Sequence, residues 1–180
     1  MTLNPHSGTS IFLIGPMGSG KTAVGRQLAK LLDLRFHDSD AEIERRTGVD
    51  IPYIFEKEGE DSFREREREV IESLTALKNV VVATGGGAVL DPRNREHLAG
   101  RGCVVYLKTS VRQQLERTRH GRQRPLLNQG DPEAKLRALM SFRAPLYESI
   151  ANLVVPTDGR HVRAVAEDIV KRLEERATPC

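Results

Sequence analysis

An apolar stretch, Ile11–Ile14, runs directly into Gly15-Pro16-Met17-Gly18-Ser19-Gly20-Lys21-Thr22, a complete GxxxxGK[ST] run. An amphipathic pattern follows, with Val24, Leu28, Leu31 and Leu32 on one face. Strand, glycine-rich loop and helix in that order make a phosphate cradle, because the loop's N–H groups wrap a polyphosphate at the positive end of the helix. In such a loop the lysine, here Lys21, reaches the β- and γ-phosphates, and the hydroxyl of Thr22 ligates Mg²⁺. The competing reading is an ordinary glycine-rich turn, which the flanking strand and helix disfavour. The chain is expected to bind a nucleoside triphosphate.

Short apolar runs recur at Ile11–Ile14, Leu34–His37, Val80–Ala83, Val104–Leu107 and Leu153–Val155. Continuous rather than alternating hydrophobicity marks strands buried on both faces, hence a parallel sheet covered by helices. Helical patterns fall near 21–33, 40–47, 60–77, 91–100, 110–119, 132–150 and 161–176. The last carries its stripe at Val162, Val165, Ala166, Ile169, Val170 and Leu173. Helix 60–77 is expected to bury Phe63, Val70, Ile71, Leu74 and Leu77. The interleaved charges of residues 64–69 are assigned mostly to its solvated face. Residues 1–9 and 177–180 are expected to be disordered.

In a parallel sheet, ligands sit beyond the C-terminal strand ends. Asp38-Ser39-Asp40 follows the second strand. One carboxylate there suits Mg²⁺ held through water and the other a second ligand, while the plainer alternative has Asp40 capping a helix that begins at Ala41. Gly85-Gly86-Gly87 follows the third strand. It is either a turn or bare backbone N–H groups for a polyol. Arg112, Arg117, Arg119, Arg122 and Arg124 crowd one segment, followed by Pro125-Leu126-Leu127. Arg117 and Arg124 are favoured as lid cations that supply transition-state charge, and the other three as solvated surface.

Composition narrows the class. At 180 residues the chain suits one α/β domain. A net charge of +3 and the lack of aromatics among the arginines weaken a nucleic-acid reading. Cys103 and Cys180 form no disulfide framework, and no apolar run approaches membrane-spanning length, so a reducing cytoplasm is the expected compartment. The third strand ends without the carboxylate of an ATPase motor, and no Asn-Lys-x-Asp guanine reader occurs. These gaps point to a small-metabolite kinase.

From about Ile11 to Leu173 the chain resembles the shikimate kinases, on the segments GPMGSGKT, FHDSDAEIE, GEDSFR, ATGGGAV, RPLL and RAPLY. The resemblance implies a three-layer αβα fold with a five-stranded parallel sheet of order 2-3-1-4-5 and a mobile lid. It implies one P-loop kinase domain over 1–180, with a substrate-binding region about 38–66 and a lid about 117–130. The implied reaction is ATP- and Mg²⁺-dependent phosphorylation of the 3-hydroxyl of shikimate, by a monomer. Gly18, Ser19, Gly20, Lys21, Thr22 and Ala23 match the ATP-phosphate segment, and Thr22 and Asp38 the metal site. Asp40 matches the carboxylate on the substrate hydroxyls, which acts as general base. Arg64 and Arg143 match the grip on the substrate carboxylate, with Gly85, Gly86 and Gly87 beside the ring. Arg124 matches the lid arginine at the phosphates and Arg117 the one on adenine. Arg160 aligns with an ATP contact, while Val162 stands where some relatives place proline.

Two rivals differ in class. A gluconate-type sugar-acid kinase should lack the combined SFR, GGG and RAPLY set. A ligand-sensing module on a DNA-binding regulator would need a helix-turn-helix for which this chain has no room.

Overall fold

The computed structural model describes residues 9–119 and 130–177. Five strands form one parallel sheet: β1 (Ile11–Ile14), β2 (Arg35–Asp38), β3 (Val80–Ala83), β4 (Cys103–Lys108) and β5 (Leu153–Pro156). Their order across the sheet is β2-β3-β1-β4-β5. The helices are α1 (Lys21–Leu32), α2 (Ser39–Thr47), α3 (Ile51–Thr75), α4 (Pro92–Arg101), α5 (Val111–Thr118), α6 (Pro132–Ile150) and α7 (Val162–Ala177).

Successive side chains of a strand point to opposite faces, so a wholly apolar central strand supplies two cores. Phe12 and Ile14 join Val82, Tyr106, Ile71 and Tyr147 on one face of the sheet. Ile11 and Leu13 join Val81, Leu107, Leu28 and Ile169 on the other. Burying each such side chain contributes about 1.5–3 kcal/mol, so β1, β3 and β4 hold the layers together. The edge strands β2 and β5 are only partly buried.

Capping fixes where several helices begin. Asp91-Pro92 and Asp131-Pro132 each place an aspartate at the N-cap and a proline at the first helical position, opening α4 and α6. The same logic corrects the expectation for the second strand. β2 runs one residue further than its apolar letters indicate, through Asp38, which pairs with Ala83. Asp38, not Asp40, then caps α2, its Oδ1 accepting from the N–H groups of Asp40 (3.0 Å) and Ala41 (3.1 Å).

Helix α3 begins at Ile51, well before the expected residue 60, because Asp50 caps it through Tyr53 N–H at 2.9 Å. Gly59 interrupts it at φ 85°, ψ 172°, which resets the apolar phase and hides the first half from a periodicity reading. Leu31 is 41% exposed, and Ala29 takes the place on the buried face of α1 that was expected of it. Val162 likewise lies outside the buried stripe of α7, and Leu77 is only partly buried. Ala177 closes α7 rather than starting a disordered tail, while residues 1–8 and 178–180 lie outside the described residues. Among the described residues, no helix is long and apolar enough to cross a membrane.

Candidate active site

The C-terminal ends of β1, β2 and β3 open into a cleft of about 670 Å³, walled further by α3 and α6. One half is built from backbone. Gly20 closes the phosphate loop at φ 86°, and no side chain caps α1, so the first N–H groups of that helix face an incoming anion. Lys21, only 9% exposed, lies along the same loop. Its Nζ donates to Gly15 O at 2.7 Å, Pro16 O at 2.8 Å and Ser19 Oγ at 3.3 Å.

At the loop's end the Thr22 hydroxyl donates to Asp38 Oδ2 at 2.6 Å. Cap and metal candidate are therefore the same carboxylate, its two oxygens divided between α2 and Thr22. A hydroxyl and a carboxylate oxygen are hard donors that suit Mg²⁺, which takes one or two protein ligands and completes its shell with water and phosphate oxygens. Among the described residues no cluster of three or more His, Cys, Asp or Glu offers a rival metal cage.

The other half of the cleft is built from charged side chains. Asp40, in the first turn of α2, has its carboxyl pushed up to about 7. Burial is the main cause, the like charges of Glu67 and Asp38 add to it, and Lys21 opposes it. Asp40 Oδ1 and Glu67 Oε1 are both buried without a hydrogen-bond partner. Glu67 Oε2 accepts from Arg64 at 2.7 Å, while Arg64 also donates to Glu60 at 3.1 Å. Burial raises the Glu67 carboxyl above its ordinary range, against the pull of Arg64 and Arg143. Arg143, only 6% exposed, enters from α6. Tyr147, one turn on, meets the Arg143 guanidinium and donates its hydroxyl to Gly86 O.

The three consecutive glycines answer to these side chains. A Cβ at Gly85 would lie 2.8 Å from Asp40 Oδ1 and 3.0 Å from Glu67 Oε1; one at Gly87 would lie 2.5 Å from the Arg64 guanidinium. A Cβ at Gly86 would crowd Met17 N at 3.3 Å and stand 3.7 Å from Arg143. The bare strand end thus makes room for the protein's own charged groups. One expectation is corrected here: the Gly85 N–H already donates to Ser39 Oγ at 3.0 Å and is not a bare donor.

Arg117 bridges the two sides of the nucleotide end, donating to Gly18 O at 3.0 Å and Thr157 O at 3.0 Å. Beside it a second cavity of about 260 Å³ is lined by Ser19, Gly20, Arg117, Arg160 and Val162. Arg160 is tied to the elements on either side of its loop, donating to Pro156 O at the end of β5 and to Asp168 Oδ2 in α7 at 3.0 Å each. Ala23 and Thr22 border the larger cleft. Arg122 and Arg124 lie outside the described residues, as does most of the segment expected to form the lid.

Lys21, Thr22, Asp38, Asp40, Arg64, Arg143 and the three glycines therefore meet in one cleft, although 122 positions separate the first of these from the last arginine. The residue that sequence reasoning missed is Glu67, assigned to a solvated charge face yet 1% exposed. Its signal was present: position 67 is four past Phe63, three before Val70 and seven before Leu74, on the buried stripe itself.

Comparison with known proteins agrees with this geometry. The family model described as shikimate kinase matches residues 17–174. A shikimate kinase of Halorhodospira halophila is 58% identical over 164 residues, covering 91% of this chain and 93% of that protein. The structure of shikimate kinase from Acinetobacter baumannii in complex with shikimate superposes with a TM-score of 0.92 at 50% identity, covering 93% of this chain and 94% of that one. A gluconokinase from Sinorhizobium meliloti, at 20% identity and a TM-score of 0.62 over 94% of this chain and 93% of that one, shares the fold alone. This chain belongs to the shikimate kinase family.

Proposed function

We propose a division of labour within the cleft for the reaction of this family, the ATP- and Mg²⁺-dependent phosphorylation of shikimate in aromatic amino-acid biosynthesis. The phosphate loop, residues 18–23, binds the triphosphate through its N–H groups, and Lys21 turns from the loop carbonyls to the γ-phosphoryl group. Arg117 and Arg160 flank the adenine end, and Arg124 supplies charge from the lid. Thr22 and Asp38 hold Mg²⁺, which when bound neutralises charge on the β- and γ-oxygens.

In the deep half, Arg64 and Arg143 grip the shikimate carboxylate. A carboxylate takes two forked guanidinium partners well, and both arginines here are largely removed from water. Asp40 accepts the proton of the 3-hydroxyl as that oxygen attacks phosphorus. Its raised pKa supports this role, since a base poised near the working pH combines availability with proton affinity. Glu67 positions Arg64 and raises the proton affinity of Asp40. Gly85, Gly86 and Gly87 keep the ring side of the pocket open. The reading extends to one kinase domain acting as a cytoplasmic monomer on a small molecule.

The observation that carries the substrate assignment is the pairing of buried Arg143 and partly buried Arg64 with a partnerless buried Asp40 oxygen, beside a phosphate loop. The test is ADP release with ATP·Mg²⁺ and shikimate, quinate, gluconate or no acceptor. Shikimate should dominate; preferential turnover of gluconate would reject the assignment.

A further inference from the structure

The break in α3 brings together residues that a continuous helix would hold apart. Eight residues along a straight α-helix span about 12 Å. Yet the rings of Phe55 and Phe63 lie 4.8 Å apart between centroids, and Arg66 reaches Glu58 at 2.5 Å. Both pairs are separated by eight positions and both straddle Gly59. That glycine sits at φ 85°, ψ 172°, a region closed to L side chains, although nothing lies within 4 Å of where its Cβ would be. The constraint is therefore on the backbone alone. It folds the first part of α3, with Ile51, Pro52 and Phe55, over the part carrying Phe63 and Arg64, and all five line the cleft.

Across the outside of this fold runs a closed set of polar contacts. Ser62 Oγ donates to Glu58 Oε2 at 2.8 Å, and Arg66 donates both to Glu58 and, at 2.6 Å, to Ser62 Oγ. The two carboxylates flanking Gly59 thus go to two arginines, Glu58 to Arg66 and Glu60 to Arg64. Arg66 does not line the cleft and has no part in the chemistry proposed above.

We infer that Glu58, Ser62 and Arg66 form a clasp that sets how closely the Phe55 wall stands over the acceptor pocket, making them positioning residues for shikimate. The inference rests on the reading of the deep half as the acceptor site. The clasp acts on binding of acceptor and not on ATP, because the segment it holds contributes nothing to the phosphate loop. An exposed ion pair is modest in strength, so its effect is a trim on affinity rather than a determinant of folding.

Charge reversal tests this. Glu58→Arg and Arg66→Glu, each alone, should raise the KM for shikimate roughly two- to fivefold, with kcat, the KM for ATP and the melting temperature nearly unchanged. The double reversal rebuilds the pair and should return KM to the parental value. The chain has no Trp, so Phe55→Trp in each background gives a single emission band reporting burial of the wall. That band should shift to the red in the single reversals and recover in the double. A double reversal no better than the singles, equal shifts in both KM values, or an unmoved emission band would overturn the clasp. If the parent protein fails to phosphorylate shikimate, the acceptor-site reading is what fails, and the emission series alone then decides on the clasp.

Discussion

The two halves of the cleft are built on opposite principles. At the phosphate end the polar side chains are paired with one another and with the loop, leaving backbone N–H groups for the ligand: Lys21 on loop carbonyls and Ser19, Thr22 on Asp38, Asp38 on the start of α2. At the acceptor end two carboxylate oxygens, Asp40 Oδ1 and Glu67 Oε1, are buried without partners, and both carboxyls hold their protons unusually firmly. A site for a polyanion can be made from N–H dipoles that exist in every chain, so the sequence needs only glycines and one lysine. A site for a small acid with several hydroxyls must bury charges of both signs, and it stays electrostatically unfavourable until the ligand completes it. On the division of labour proposed above, the second half leaves two buried carboxylate oxygens for groups that the substrate supplies.

The largest expected effect breaks the phosphate half. Lys21→Ala should lower kcat by about two to four orders of magnitude while far-UV circular dichroism and melting stay near those of the parent, since charge on the transferring group loses its preorganised partner. Near-normal turnover would remove Lys21 from the mechanism. The next breaks the acceptor half. Arg64→Leu or Arg143→Leu should weaken shikimate binding roughly ten- to a hundredfold by calorimetry, at about 1.5–3 kcal/mol per charge-assisted hydrogen bond, and leave ATP affinity unchanged. Loss of ATP affinity in the same measure would mean that the two halves are not separate.

A subtler change sharpens the contrast. At Gly87 the nearest atoms an added Cβ meets are those of the Arg64 guanidinium, the far end of a flexible side chain. Gly87→Ala should therefore raise the KM for shikimate about tenfold at most, with little change in melting temperature. A large loss of stability with unchanged KM would show that Gly87 serves the backbone instead.

The same contrast decides what was legible in the sequence. The phosphate loop is local, eight contiguous residues whose neighbours announce strand and helix, and it could be assigned down to the roles expected of Lys21 and Thr22. The sheet followed from continuous apolar runs. The acceptor end is assembled from α2, α3, β3 and α6, and only resemblance to a family joined Arg64 to Arg143. Glu67 was hidden because alternating Arg and Glu along residues 64–69 look like surface, although its phase matched Phe63 and Val70. The run of three glycines stands out in the sequence, but only the folded chain shows that a Cβ at Gly85 would meet Asp40 and Glu67 and one at Gly87 would meet Arg64. Gly59 concealed half a helix, since a positive-φ break resets the periodicity that marks one. Arg160 could be aligned but not oriented: only the packing of its loop against α7 places its guanidinium on Asp168.

The measurement that most directly tests the stored charge of the acceptor half is the pH dependence of kcat/KM for shikimate, in the parent and in Glu67→Gln. Asp40 must be deprotonated to accept the hydroxyl proton, so activity should be lost as pH falls through about 7 and be full above it. Gln keeps an oxygen for Arg64 but removes the like charge beside Asp40, so the acid limb should move to lower pH by roughly one unit. A parental limb in the ordinary carboxylate range, or a limb that Glu67→Gln leaves in place, would contradict the account.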